Sequence, residues 1–351
     1  MLGIIRYGFI NTKIRGLKRE YLRKEDYNKI IEAPYKEIVK VLMETPYREE
    51  VRGLQETPTP IEMEKILIKS LTRSYLKVLK WLPKQAMRVI ALYMMKYEAE
   101  NIKAAIRLKT LGASVERLKQ HLTPIPLGLK IEEYVKVYEE SKNLRELLEK
   151  LVEIGVPIPI HKIFEKEFKE EDAKIVEAKI DKIVYEAIIN EAKRLDGKSS
   201  KSVREMLGIE IDLTNIKNTL RAKKLKIDWN ELEENIITPT YKINMQKIRK
   251  AFEKEDQKEV LTELMEKEYK PLLKQSIEAI NKGGIEELEK LFNKEIYKGY
   301  QKVWKKGFQY DISPTLAYLT KKWTEIRNLK VIIYGKSLEI PKRKIMEEII
   351  I

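Results

Sequence analysis

Apolar residues recur three and four positions apart along most of this 351-residue chain, with charged residues between them. Residues 132–154 and 171–195 show this spacing, which is typical of amphipathic helices. Strand-like alternation is scarce, and its best candidate, residues 331–335, continues a helical pattern equally well. Proline and glycine predict breaks between helices at residues 56–60, 123–128, 155–160, 196–200, 238–240, 281–284 and 311–314. The pattern therefore predicts an all-α protein.

A short motif recurs in the chain: an acid, an asparagine three residues later, and a lysine two residues after the asparagine. Three copies are clear, and their residues are Glu98, Asn101 and Lys103; Asp212, Asn215 and Lys217; and Glu325, Asn328 and Lys330. Successive asparagines are separated by 114 and 113 residues. A weaker fourth copy, without the acid, lies at Asn11. The eighth residue after the asparagine is basic in all four copies, at Arg19, Lys109, Lys223 and Lys336.

Prolines at a similar distance extend the repeat. Pro34, Pro124 and Pro239 follow the first three asparagines by 23 or 24 residues, and an amphipathic helix is predicted after each. Repeated helical units bury their apolar faces by stacking on one another. The predicted units are residues 1–100, residues 101–214, and residues 215–351 with a closing C-terminal helix. Three such units could lie in an arc or close around a pseudo-threefold axis. Because three are too few for a long solenoid, we expect the closed, funnel-like body.

The composition leaves little room for catalysis. Cysteine is absent, and the two histidines, His121 and His161, show no triad or metal-ligand spacing. Two Gly-Lys-Ser triplets, at residues 197–199 and 335–337, lack the earlier glycine that a phosphate-binding loop requires. We interpret both triplets as helix C-termini with a glycine cap. The sequence thus indicates no catalytic residue, no cofactor and no metal site.

The repeated acid and asparagine admit two interpretations. A carboxylate and an amide on one helical face, beside a repeated lysine, could form three active sites. Alternatively, the acid complements the helix dipole, and the asparagine satisfies backbone groups of a neighbouring unit. We favour the structural interpretation for all nine motif residues.

The chain is basic, with a net charge of +15, and one stretch concentrates this charge. No acid occurs from residue 65 to residue 97, and most of the basic residues there follow one helical stripe. This basic stripe comprises Lys65, Lys69, Arg73, Lys77, Lys80, Lys84 and Arg88. It is a candidate docking surface for phosphates, anionic lipid headgroups or an acidic protein. A solvated helix face with local ion pairs is the alternative.

No segment has the pattern of a membrane span or a targeting signal. The longest uncharged run, residues 89–95, is far shorter than the roughly 20 residues that a spanning helix needs. The first residues lack the apolar run and cleavage site of a signal peptide. We expect a cytoplasmic protein, or one that is peripheral on a membrane complex.

Several segments resemble one known family. They are YGFINTKIRGLK and METPY near the start, YEAENIKAAIRLK and DLTNIKNTLRAKKL in the middle, and EIRNLKVIIYGKSLEIPKRKIMEEII at the end. Together these segments are similar to the C subunit of archaeal A-type ATP synthases, a family that includes the d subunit of V-ATPases. The resemblance runs from Tyr7 to the end of the chain. The opening copy departs most, because Gly8 stands where the other copies have an acid.

This resemblance implies a non-catalytic part of a central rotor, without a cofactor. Family members are funnel-shaped, contain three similar helical domains, and lie on the cytoplasmic face of the cell membrane as peripheral proteins. They connect the membrane proteolipid ring, which consists of K (or c) subunits, to the D and F subunits of the central stalk, and so couple ATP chemistry to proton or sodium transport. We expect such an adapter, with the basic stripe at one docking surface and no nucleic-acid partner. A basic helical scaffold that binds nucleic acid is the alternative, although no motif of that kind accompanies the charge.

Overall fold

The computed structural model describes residues 2–123, 125–164, 173–305 and 310–351. Within these ranges the regular structure is helical and contains no strand, which confirms the predicted all-α class. Residues 331–335, the best strand candidate, lie inside a long helix. Pro124, one of the spaced prolines, lies outside the described residues.

The helices are connected by short segments. In chain order the α-helices are α1 (Leu2–Gly16), α2 (Lys24–Glu32), α3 (Ile38–Leu42), α4 (Arg48–Val51), α5 (Pro60–Leu79), α6 (Lys84–Thr110), α7 (Val115–His121), α8 (Ile131–Glu140), α9 (Leu144–Glu153), α10 (Ala173–Ala192), α11 (Gly197–Leu225), α12 (Trp229–Asn235), α13 (Met245–Phe252), α14 (Gln257–Met265), α15 (Lys270–Lys305), α16 (Ser313–Ser337) and α17 (Lys342–Glu348). Short 3-10 helices are Leu17–Glu20, Tyr35–Glu37 and Ile160–Phe164.

The chain divides into two compact units. The first unit combines residues 1–87 with residues 297–351, and the second comprises residues 88–296. The boundaries between them fall within α6 and α15. The three consecutive units expected from the repeat therefore stay a prediction.

The first unit is built from both ends of the chain. Helix α16, near the C-terminus, packs against α5 and α1 from the N-terminal part. Its core joins Leu67 and Leu71 of α5 to Leu329 and Ile333 of α16, and all four side chains are buried almost completely. Helix α5 begins with a capping box, in which the Thr59 backbone N–H donates to the Glu62 carboxylate over 2.7 Å. Burial of these side chains therefore ties the two chain ends together.

The second unit centres on α11. Its apolar residues Leu213, Ile216 and Leu220 pack against α14 and α15, where Leu264 and Leu288 are fully buried. Helix α11 also packs along α10. The long helix is therefore covered on several faces, and its middle section is buried continuously from residue 210 to residue 220.

Two glycine-containing segments differ from their predicted form. Residues 197–199 begin α11, with the Asp196 carboxylate accepting from the Ser199 backbone N–H over 3.0 Å, and residues 335–337 form the last part of α16. The interpretation of the first triplet as a helix C-terminus was therefore wrong. In the predicted break at residues 281–284, α15 bends at Gly283 and Gly284. Gly284 has φ 68° and ψ −151°, a conformation that glycine alone adopts readily.

Candidate functional site

Each of the three asparagines of the clear motif copies exchanges two hydrogen bonds with one backbone residue 22 positions later in the chain. In each pair the amide Nδ2 donates to the backbone carbonyl, and the backbone N–H donates to Oδ1. The pairs are Asn101 with Thr123 (2.8 and 2.8 Å), Asn215 with Ile237 (3.1 and 2.9 Å), and Asn328 with Ile350 (2.6 and 2.9 Å). The asparagine thus satisfies an extended backbone segment as a β-ladder partner would.

The turn after each motif helix brings these partners together. Gly112, Lys226 and Glu339 occupy the same position of the repeat, and each adopts the left-handed conformation, with φ of 61°, 57° and 53°. In each copy the backbone N–H of the following residue donates to the backbone carbonyl five residues earlier, over 2.8 or 2.9 Å. This hydrogen bond closes a Schellman motif. A seven-residue helix then follows at the same offset (α7, α12 or α17). This helix returns the chain to the asparagine.

The repeated acids hold a second segment. The Glu98 carboxylate accepts from the Leu129 backbone N–H over 2.8 Å, and Asp212 accepts from Lys242 over 2.8 Å and from Ile243 over 3.3 Å. Each acid also accepts from a tyrosine hydroxyl; these tyrosines are Tyr134 for Glu98, Tyr269 for Asp212 and Tyr47 for Glu325, at 3.0, 2.8 and 2.7 Å. Burial raises the pKa of Glu98 and of Asp212, and the hydrogen bonds they accept oppose this rise.

The third copy takes its partners from the beginning of the chain. Glu325 accepts from the Leu22 backbone N–H over 2.7 Å, across 303 residues. The lysine eight residues after the asparagine shows the same arrangement. Lys109 donates to the carbonyl of Tyr138 at the end of α8 (2.6 Å), Lys223 to that of Phe252 at the end of α13 (2.7 Å), and Lys336 to that of Ile31 at the end of α2 (2.7 Å). Helix α2 therefore occupies, for the third copy, the position that α8 and α13 occupy for the others.

The lysine two residues after each asparagine is buried and ion-paired. Lys103 pairs with Asp181 of α10 at 2.6 Å, Lys217 with Glu289 of α15 at 3.4 Å, and Lys330 with Glu64 of α5 at 2.6 Å. Burial lowers the pKa of Lys103, but Asp181 and Glu100 outweigh it and hold that pKa above its usual value. For Lys330 burial prevails over Glu64, and its pKa is lowered. Each pair links the motif helix to another helix of the same unit.

The residue one helical turn after each of these lysines also contacts an acid on another helix. Arg107 lies 3.6 Å from Glu177, and Arg221 lies 3.0 Å from Glu289. In the third copy a tyrosine takes this place, and the Tyr334 hydroxyl donates to Glu64 over 2.6 Å. The acids of these pairs recur on different helices and were not identified from the sequence.

The predicted fourth copy does not share this geometry. The Asn11 amide donates to the carbonyl of Asp311 over 3.0 Å, 300 residues away, instead of to a residue 22 positions later. Asn11 is buried, so its role is also local packing within the first unit. The hydrogen-bond pattern therefore defines three equivalent copies, at Asn101, Asn215 and Asn328.

These contacts engage the polar side chains of the motif in links between helices. The three acids each accept several hydrogen bonds, and the lysines face carboxylates, so both groups are committed to neighbours. A cavity of about 20 Å³ beside α11, lined by Asn218, Arg221 and Asn235, has room for about one water molecule. Among the described residues, no group of three or more His, Asp or Glu side chains has the arrangement of a metal site. The contacts of the nine motif residues thus connect neighbouring parts of the chain.

The basic stripe lies on two helices and the turn between them. Lys65, Lys69 and Arg73 are exposed residues of α5, Lys77 is half-buried, and Lys80 lies exposed in the turn. Arg73 pairs with Glu50 at 3.3 Å, and Lys77 pairs with Glu20 at 2.9 Å. Lys84 and Arg88 are exposed on α6, and Arg88 belongs to the second unit. Acids outside the basic stretch thus neutralise part of the stripe, as the alternative interpretation allows.

In the parts of the chain that the structure describes, each helix is either too short or too polar to cross a bilayer.

Comparisons with known proteins identify the family. Residues 10–348 match the family model described as ATP synthase (C/AC39) subunit. The C subunit of the A-type ATP synthase of Methanocaldococcus jannaschii is 26% identical over 94% of this chain and 82% of its own length. That of Pyrococcus furiosus is 26% identical over 93% and 85%, and that of Methanococcoides burtonii 21% identical over 98% and 94%. The chain therefore belongs to the ATP synthase (C/AC39) subunit family, a family of non-catalytic subunits of that complex.

Proposed function

We propose that this chain is the central-rotor adapter of a rotary A-type ATP synthase. It couples the central stalk to the membrane proteolipid ring during proton or sodium transport and performs no chemistry of its own. The observation that carries the proposal is the family match over residues 10–348. The relatives that align with most of the chain are C subunits of A-type ATP synthases, which supports it further.

The contacts of the motif suit an adapter that transmits torque. Such a part needs stiffness, because a soft body would store the rotation as deformation. The asparagine pairs, the acid–tyrosine contacts and the buried lysine ion pairs are polar links between helices that are already closely packed. Their recurrence in three copies provides the same reinforcement at three places in the chain.

We propose three similar helical modules around a pseudo-threefold axis, in a funnel-like body. The repeat and the family resemblance support this arrangement. The contacts of the third motif copy lead us to propose module boundaries that differ from the predicted 1–100, 101–214 and 215–351. Because Glu325 and Lys336 bind Leu22 and Ile31, the module of the third copy combines α16 and α17 with residues 20–79. The other two modules then begin at the motif helices α6 and α11.

The proposed partners are the K (or c) subunits of the proteolipid ring and the D and F subunits of the stalk, on the cytoplasmic face of the membrane. We propose that the accessible part of the basic stripe on α5 contacts one of them. Lys65 and Lys69 form no ion pair with any residue that the structure describes. These two lysines are therefore better test positions than Arg73 and Lys77, whose reversal would also break internal pairs.

Purification from native membranes in a mild detergent tests the assembly. A tagged chain is expected to co-purify with a proteolipid ring, stalk subunits and an ATPase head. Lys65→Glu with Lys69→Glu should weaken this co-purification, whereas Lys250→Glu with Lys254→Glu, two exposed lysines of the second unit, should leave it unchanged. Recovery of the chain alone, or with nucleic acid, would contradict the adapter proposal. Full assembly of the Lys65/Lys69 variant would reject the α5 contact only.

A further inference from the structure

One patch of the first unit combines exposed aromatic rings with lysines. Phe9 of α1 is 64% exposed, although it is a large apolar side chain. The Lys13 ammonium lies 4.3 Å from the centre of the Phe9 ring and 4.9 Å from that of the Trp81 ring. Lys13 thus joins α1 to the turn between α5 and α6 through two cation–π contacts. Trp81 is itself partly exposed.

Two more lysines flank Trp81 in the sequence. Lys80 lies in the turn directly after α5 and Lys84 begins α6, and both residues are exposed. Helix α1 contains no acid, and none occurs between residues 65 and 97. We call Phe9, Lys13, Lys80, Trp81 and Lys84 the Phe9–Trp81 patch. It is apolar and positively charged in the same small area.

We propose that the Phe9–Trp81 patch binds the surface of an anionic phospholipid bilayer. This inference rests on the proposed function, because only a subunit held close to a membrane would use such a contact. Tryptophan and phenylalanine insert at the headgroup boundary, while lysines attract anionic headgroups and extend their charged ends towards water. Protein interfaces are instead poor in lysine and rich in arginine, and the three cations of the patch are all lysines. Lipid is therefore the occupant that the composition favours.

Vesicle binding by the purified full-length chain tests the proposal. We expect sedimentation with vesicles of phosphatidylcholine and phosphatidylglycerol in equal amounts, and none with phosphatidylcholine alone. Lys13→Glu, Lys80→Glu and Lys84→Glu together should reduce the apparent affinity by at least about 100-fold, because the loss of each lysine alone is worth about a factor of five. The matched control is Lys250→Glu, Lys254→Glu and Lys258→Glu, three exposed lysines of the second unit with the same change in net charge. It should retain nearly all of the binding.

Tryptophan fluorescence provides a second test that does not depend on the folding of a triple variant. The chain has four tryptophans, so Trp81→Phe isolates the contribution of Trp81. Anionic vesicles with brominated acyl chains should quench the emission of the wild-type chain, and most of this quenching should disappear in Trp81→Phe. Phe9→Ser should weaken binding while the lysines remain.

Three results would overturn the proposal. They are failure of the wild-type chain to bind anionic vesicles, an equal loss in the patch and control variants, and quenching that is unchanged in Trp81→Phe. Binding of the patch to an acidic protein without binding to vesicles would also reject lipid as the occupant. None of these results affects co-purification with the ring and the ATPase head, so failure here is distinguishable from failure of the adapter proposal.

Discussion

Asn215 and Ile237 exchange two hydrogen bonds across a helix, a turn and a second short helix. The amide donates to the Ile237 carbonyl over 3.1 Å, and the Ile237 N–H donates to the amide oxygen over 2.9 Å. Only a side chain with one donor and one acceptor can satisfy both backbone groups in this way. Asn101 and Asn328 make the same pair with residues at the same distance along the chain.

Replacing Asn215 with aspartate tests this relationship. The carboxylate still accepts from Ile237 N–H but faces the Ile237 carbonyl without a proton to donate, in a buried site. We expect a loss of about 2–4 kcal/mol in the unfolding free energy of the second unit. Chemical denaturation measures it, with Asn230→Asp on the exposed face of α12 as the control. Equal effects of the two substitutions would show that the hydrogen-bond pair contributes little.

At the left-handed residues after the motif helices, we expect substitutions that raise the stability of the protein. Lys226 and Glu339 have φ of 57° and 53°, where a side chain costs energy that glycine avoids. Lys226→Gly and Glu339→Gly should therefore each stabilise the protein by about 1 kcal/mol. Gly112→Ala should destabilise it by about the same amount, because the same position in that copy already holds glycine.

Thermal unfolding separates these effects from those of an ordinary glycine substitution. Lys224→Gly is the control, since Lys224 lies within α11 and glycine lowers helix stability there. Destabilisation by Lys226→Gly, as by Lys224→Gly, would contradict the assignment of the left-handed turn.

A third prediction concerns the contact between the chain ends. Glu325 accepts from Leu22 N–H, the Tyr47 hydroxyl and the Lys322 ammonium over 2.7, 2.7 and 3.0 Å. Glu325→Gln leaves the buried Lys322 without its counter-charge, and we expect a loss of about 3–5 kcal/mol. Hydrogen exchange should then accelerate in α2, α3 and α4.

The double variant Lys322→Met with Glu325→Gln is the internal control for this loss. Methionine and isoleucine occupy the corresponding positions of the other copies, at Met95 and Ile209, so an apolar side chain fits the motif there. Removing both charges should restore most of the stability. If the double variant were as unstable as Glu325→Gln alone, the buried charge would not be the cause.

The pH dependence of stability has a specific contribution from Glu289. Burial raises the pKa of its carboxyl, but Lys217 and Arg221 outweigh that effect and lower the pKa from 4.5 to about 2. Because the folded pKa lies below the unfolded one, Glu289 stabilises the protein above pH 4.5, and this contribution disappears as the pH falls towards 2. After a reduction for partial exposure, we expect up to about 2 kcal/mol.

Glu289→Gln should therefore lower stability at neutral pH and flatten its decline on acidification. Denaturation of both proteins across the acidic range measures the difference, with Glu286→Gln, an exposed carboxylate of the same helix, as the control. Parallel pH profiles for wild type and Glu289→Gln would contradict the lowered pKa.

Local patterns in the sequence predicted the helices and the motif well, because both depend on residues close together in the chain. The 3.6-residue periodicity indicated helices, and the spacing of Asn101, Asn215 and Asn328 indicated the repeat. The backbone partner of each asparagine lies 22 residues later in every copy, so these partners also follow a regular spacing in the sequence.

Contacts without a regular offset could not be predicted in this way. The tyrosines that bind the repeated acids lie 36 residues after Glu98, 57 after Asp212 and 278 before Glu325. Asn11 matched the motif in sequence, but its partner, Asp311, is at the other end of the chain. The basic stripe looked uninterrupted only because its partners Glu20 and Glu50 lie outside it. Such pairings depend on tertiary packing, which a single sequence does not display.

Coupled ion pumping by the reconstituted complex tests the adapter role most directly. We predict that complexes lacking this chain hydrolyse ATP at the head but no longer pump ions into vesicles, and that adding the purified chain back restores pumping. Undiminished pumping without the chain, or loss of hydrolysis and pumping to the same extent, would contradict a role in connecting the stalk to the ring.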